Sequence, residues 1–200
     1  MTTWVEDPSG GRERGARGIA RAWVEVILRP RQFFRTGVAP GDQAPGLVFA
    51  IVVAVAYTIG LFTFSPERIP ELAGGRTVSA FIALAAVALV VAPAVLHLTA
   101  ALQTVVLIIA VRDRAGISET VQVIAYATAP CVLAGIPSPT LRLVCALYGS
   151  ALLVLGLREV HGTTTGRALA SAAVPATLLF GSAFGGLDAG EAVLRLAGMI

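Results

Sequence analysis

The stretch from Glu119 to Leu157 constrains this chain most. It runs through two apolar segments separated by Pro137-Ser138-Pro139, and Arg142 is its only charge after Glu119. A soluble domain has no use for that much unbroken apolar sequence, whereas a pair of membrane-crossing helices joined by a tight turn requires it. Pro130 lies inside the first segment. It has no amide hydrogen, so the carbonyl of Tyr126, four residues earlier, must find another donor.

Composition agrees with a membrane chain. Hydrophobic residues make up 56% and charged ones only 14%, with a mean hydropathy of +0.81; a soluble domain averages about a quarter charged. At about 20 residues per crossing, the apolar runs predict five spans, near 47–64, 80–111, 119–136, 140–157 and 167–184. The second run is about 48 Å long as a helix, more than a bilayer needs. Pro93 and Pro175 are the expected kinks in the second and fifth spans, as Pro130 is in the third. The predicted class is an all-α, integral membrane five-helix bundle, followed by an outer tail over 187–200.

Ahead of the first span, residues 1–18 read as a flexible arm with no signal peptide. Residues 19–35 read as an amphipathic helix lying in the headgroup plane. Ile19, Trp23, Val26 and Ile27 share one face, with Arg21, Glu25 and Arg29 opposite. Arg21, Trp23, Arg29, Phe33 and Phe34 are its expected interfacial anchors. The acids Glu6, Asp7, Glu13 and Glu25 dilute the basic patch, so nucleic acid is not an expected partner.

Arginine supplies all 15 basic residues, and their placement predicts orientation. With the N-terminus inside, the cytoplasmic segments carry Arg12, Arg14, Arg17, Arg21, Arg29, Arg31, Arg35, Arg112, Arg114, Arg158 and Arg167. The outer ones carry Arg68, Arg76, Arg142 and Arg195. The expectation is a multi-pass protein of the cell membrane with its N-terminus cytoplasmic and its C-terminus outside.

No Asp, Glu or Arg falls deep in a span, so proton relays and ion pathways lack their usual carriers. Gln103, Tyr126, Tyr148 and Thr177 fall at one depth, roughly 10–15 Å from the cytoplasmic ends. They form a candidate intramembrane polar layer that bonds helices together or lines the path of a small solute. His97 and His161 stand apart without ligand spacing, and Cys131 and Cys145 read as buried free thiols, so neither metal nor cofactor is expected. Ser150 and Ser182 lack the Gly-x-Ser-x-Gly setting of a serine hydrolase, and no enzyme is expected. Gly181 and Gly185 form a Gly-xxx-Gly pair suited to close helix approach, a candidate homo-oligomer contact.

The run Trp23-Val24-Glu25-Val26-Ile27-Leu28-Arg29-Pro30-Arg31-Gln32-Phe33-Phe34 resembles the opening of prokaryotic Yip-domain membrane proteins. Ala125-Tyr126-Ala127-Thr128-Ala129-Pro130, then Ile136-Pro137, is similar to that family's third-span signature. Gly156-Leu157 through His161-Gly162 and Arg167-Ala168 resembles its fourth loop. Tyr126, Pro130, Pro137 and His161 are the motif residues, and the resemblance covers about Trp23 to Phe184. It implies five spans, a cytoplasmic N-terminus and a role as membrane-organising or trafficking-like adaptor, with partners at the cytoplasmic face. Eukaryotic relatives bind prenylated Rab-type GTPases. Their Asp-Leu-Tyr-Gly-Pro motif is absent here, and that activity is not carried over. The alternative expectation is a channel or transporter component built around the polar layer.

Overall fold

A computed structural model describes residues 15–72 and 74–199. The expected arm falls outside the described residues up to position 14, as does Ile200 of the expected tail. Among the described residues the regular structure is entirely helical. Pro30 cannot donate into the preceding turn, and it splits the N-terminal segment into α1 (Ala16–Leu28) and α2 (Pro30–Thr36). α3 (Ala44–Phe64) follows, uninterrupted and apolar throughout.

The second apolar run is a continuous 36-residue helix, Gly75–Ala110, made of α4 (Gly75–Ala86), a π turn at Val87–Val91 and α5 (Ala92–Ala110). Pro93 accounts for the π turn. A backbone missing one donor widens its pairing locally, and the Ala92 amide donates to Val87 O, five residues back. A second π segment, Thr177–Ala183, follows Pro175 at the end of α8 (Thr165–Ala176).

α6 (Ile117–Ala127) gives way at Thr128 to a 3-10 turn, Ala129–Leu133, with Pro130 at its start. α7 (Pro139–Val160) returns after the Pro137–Pro139 corner. The Ser138 side chain accepts from the Leu141 amide to cap it, and Arg142 Nε donates to Ala134 O at 2.9 Å across the corner. α9 (Gly186–Leu196) leaves α8 at a 72° bend, made at Gly185, whose φ of +70° suits glycine.

α6 is the axis of the molecule. Every residue from Thr120 to Cys131 is buried, and a helix buried all round sits among other helices. Its walls are α3, α5 and α7, while α8 packs between α5 and α7, and α9 lies on α7. Glycines permit the closest approaches. A Cβ on Gly135 would overlap the Tyr57 carbonyl, and one on Gly60 would stand 3.1 Å from Gly135 Cα. The outside is apolar instead: Leu89, Leu98 and Ile109 are 77%, 71% and 85% exposed. Such a surface is stable only where hydrocarbon is the solvent.

Three helices, α3, Gly75–Ala110 and α7, are long and apolar enough to cross a membrane, or four if Thr165–Ala183 with α9 counts as one bent span. The expected third span corresponds to the shorter apolar stretch Ile117–Leu133. It is shortened because Pro130 ends the α-helical pairing and the 3-10 turn leads directly into the corner.

Candidate functional site

The site is built where the N-terminal segment meets the hairpin of α6 and α7. Phe33 and Phe34 are 0% and 1% exposed. Phe33 stands edge-on to Tyr126 with centroids 4.8 Å apart, and Phe49 of α3 also meets Tyr126 edge-on at 5.2 Å. Phe34 faces Gly156, where an added Cβ would lie 2.9 Å from its ring. Both phenylalanines therefore anchor in protein. Trp23 Nε1 donates to Ala129 O at 2.8 Å, tying α1 to the 3-10 turn that follows α6. Gly18, Ala22 and Val26 are the buried positions of α1, whereas Arg21 and Arg29 are exposed.

Gln103 is fully buried, and its Nε2 donates to Ser171 O at 3.1 Å while Oε1 finds no partner. Tyr148 Oη donates to Ile27 O at 2.5 Å, tying α7 to α1. Thr177 is exposed and returns its hydroxyl to Ala173 O in its own helix. Tyr126 is enclosed in the aromatic cluster just described. Gln103, Tyr148 and Thr177 thus each bond outside the set. A cavity of about 240 Å³ lies nearby, between α3, α6 and the two π segments, and none of the four lines it. Its walls are mostly Ala, Val and Leu, with Tyr57, Thr58 and Thr128 the polar members.

Gly181 and Gly185 do not form one helical ridge. A Cβ on Gly181 would stand 3.1 Å from Leu187 of α9, and Gly185 is the left-handed hinge itself. His97 is exposed on α5, with Nδ1 2.7 Å from Pro93 O.

Two groups that sequence reasoning passed over fix the arginine-rich end. Gln122 is 1% exposed. Its Oε1 accepts from the Ala39 amide at 3.2 Å and its Nε2 donates to Ala39 O at 2.7 Å, a reciprocal pair that pins the loop between α2 and α3. Its spacing of four from Tyr126 was the available signal, since both lie on one face of α6. Glu159 is the second. Its carboxylate is 7% exposed and pairs with Arg31, with Arg35 at 2.6 Å, and with Arg158.

His161 caps the end of α7 and is 2% exposed. Its Nε2 is 3.4 Å from Thr120 Oγ1, and Nδ1 has no partner. Burial, and then the positive charge of Arg114, push its pKa down to about 4, so the ring is neutral at pH 7.

A helical core of this make-up, sheathed in aliphatic side chains and crossed by sparse hydrogen bonds, defines an integral membrane protein. The Yip1 domain family matches residues 24–186, and the chain belongs to that family. Comparison with curated proteins and with solved structures found no match.

Proposed function

We propose that the protein is a non-catalytic, multi-pass membrane adaptor of the Yip1 type, engaging protein partners through its arginine-rich end. The observation that carries this reading is the way α2 is docked. Phe33 and Phe34 lock it to the hairpin, Arg31 and Arg35 pair with Glu159, and Arg29, Arg31 and Arg35 are all left exposed. A rigidly held, charged edge loses little ordering entropy when a partner binds.

In this reading the chain crosses the cell membrane five times. The N-terminus and the loops bearing Arg112, Arg114, Arg158 and Arg167 are cytoplasmic, in line with the arginine bias, and the C-terminus is outside. The short stretch Ile117–Leu133 counts as a crossing because protein surrounds it, and a protein-lined helix has no need to match hydrocarbon thickness. Of the polar layer, Gln103 and Tyr148 serve to hold helices together. The apolar lining of the nearby cavity supports that role over a solute path.

The test compares tagged wild type with a variant carrying Arg29→Gln, Arg31→Gln and Arg35→Gln, both purified from native membranes and analysed by mass spectrometry. The expected result is a soluble protein retained by wild type and lost by the variant. Recovery of the same proteins with both, or of none with either, would overturn the adaptor reading.

A further inference from the structure

A second polar feature at the arginine-rich end has no part in the docking of α2. A cavity of about 510 Å³ opens between the end of α5 and the start of α8, lined by Ile109, Ala110 and Val111 on one side and by Arg112, Asp113, His161, Thr163, Thr164 and Arg167 on the other. Neither Arg112 nor Arg167 has an ion-pair partner for its guanidinium among the described residues. Two further polar atoms of the lining, His161 Nδ1 and Thr163 Oγ1, are buried without a partner. α8 begins here, so its first amides and the positive end of its dipole add to the field.

Buried polar atoms are rarely left unpaired in a finished site. We propose that this cavity binds a phosphate-bearing anion, with the headgroup of an acidic phospholipid as the source that the surroundings favour. Arg112 and Arg167 supply the charge and paired donors that suit phosphate oxygens. Thr120 lies within reach of both Gly116 O and His161 Nε2. When its hydroxyl donates to Nε2, the ring proton sits on Nδ1, a donor without a protein acceptor. Asp113 opposes the anion and limits its affinity. The apolar side of the cavity decides between lipid and free phosphate. Ile109 belongs to the lining and is 85% exposed, so acyl chains could follow α5 while the headgroup stays at the arginines.

The experiment measures binding to the purified full-length protein in phosphatidylcholine nanodiscs by thermophoresis. The probes are inorganic phosphate, dioctanoyl phosphatidic acid and dioctanoyl phosphatidylcholine. Phosphatidic acid should bind, with phosphatidylcholine far weaker. Arg112→Gln with Arg167→Gln should weaken binding roughly tenfold or more, and Arg195→Gln, at the opposite end, should leave it unchanged. Asp113→Asn should tighten binding about twofold or threefold, which a damaged fold would not do. Phosphate binding as well as phosphatidic acid, with the same dependence on Arg112 and Arg167, would support the site and identify its ligand as the free anion. No binding by either, or binding indifferent to the arginine and aspartate changes, would overturn the proposal.

Discussion

Gly156 is the residue on which the docking of α2 turns. Its missing side chain is the space the Phe34 ring occupies, and a Cβ there would also come within 2.7 Å of Val123 Cγ1. Gly156→Leu should drive Phe34 from its place at a cost of about 1–3 kcal/mol. The measurements are a lower unfolding midpoint in detergent and faster tryptic cleavage at Arg31 and Arg35. Unchanged cleavage would mean that α2 does not depend on this contact. His161 makes a different prediction. Its folded pKa of about 4 lies below the ordinary histidine value of 6.5, so between those two pH values only the unfolded chain binds the proton. The stability from this group is therefore complete above pH 6.5 and is lost as pH falls toward 4, by on the order of 3 kcal/mol. His161→Gln should flatten that slope in thermal unfolding, and a slope that stays the same would assign it to other groups. Neither effect follows from the sequence by itself. The family-motif position of His161 was visible there, but its burial against Thr120 depends on a neighbour 41 residues away.

Among the elements, α6 separates what sequence could and could not convey. Its apolar run, Pro130 and the Pro137–Pro139 corner are all plain in the sequence and give a hairpin. An apolar run reads the same whether it faces lipid or protein, however, so the complete burial of Thr120 to Cys131 was not legible. The same ambiguity explains Phe33 and Phe34. Amphipathic spacing gives α1 and α2 an apolar face without saying whether bilayer or protein receives it. Gln122 ties α6 to the loop between α2 and α3. Gln122→Leu should free the loop ahead of α3 by removing both bonds to Ala39, costing about 1–3 kcal/mol because the Ala39 groups are left unpaired. Amide hydrogen exchange over residues 37–43 would report it, and protection equal to wild type would show that the loop is held by other contacts.

At the scale of the whole molecule, the five-crossing reading fixes which loops share a side. In a background of Cys131→Ala and Cys145→Ala, single cysteines at Gln32 and Asp113 should react with an impermeant maleimide only after the membrane is opened, when whole cells are labelled from outside. Cysteines at Glu67 and Glu191 should react directly. Labelling of Asp113 and Glu191 from one side would reduce the crossings to an even arrangement and overturn the proposed topology. The enclosed position of α6 also bears on how the protein is made. A segment carrying Glu119, Thr120 and Gln122, and too short to settle in lipid unaided, lacks one of its three walls until α7 has been synthesised. Its entry into the bilayer must therefore wait for the chain behind it, so that hairpin and neighbours are released from the insertion machinery as one unit rather than helix by helix.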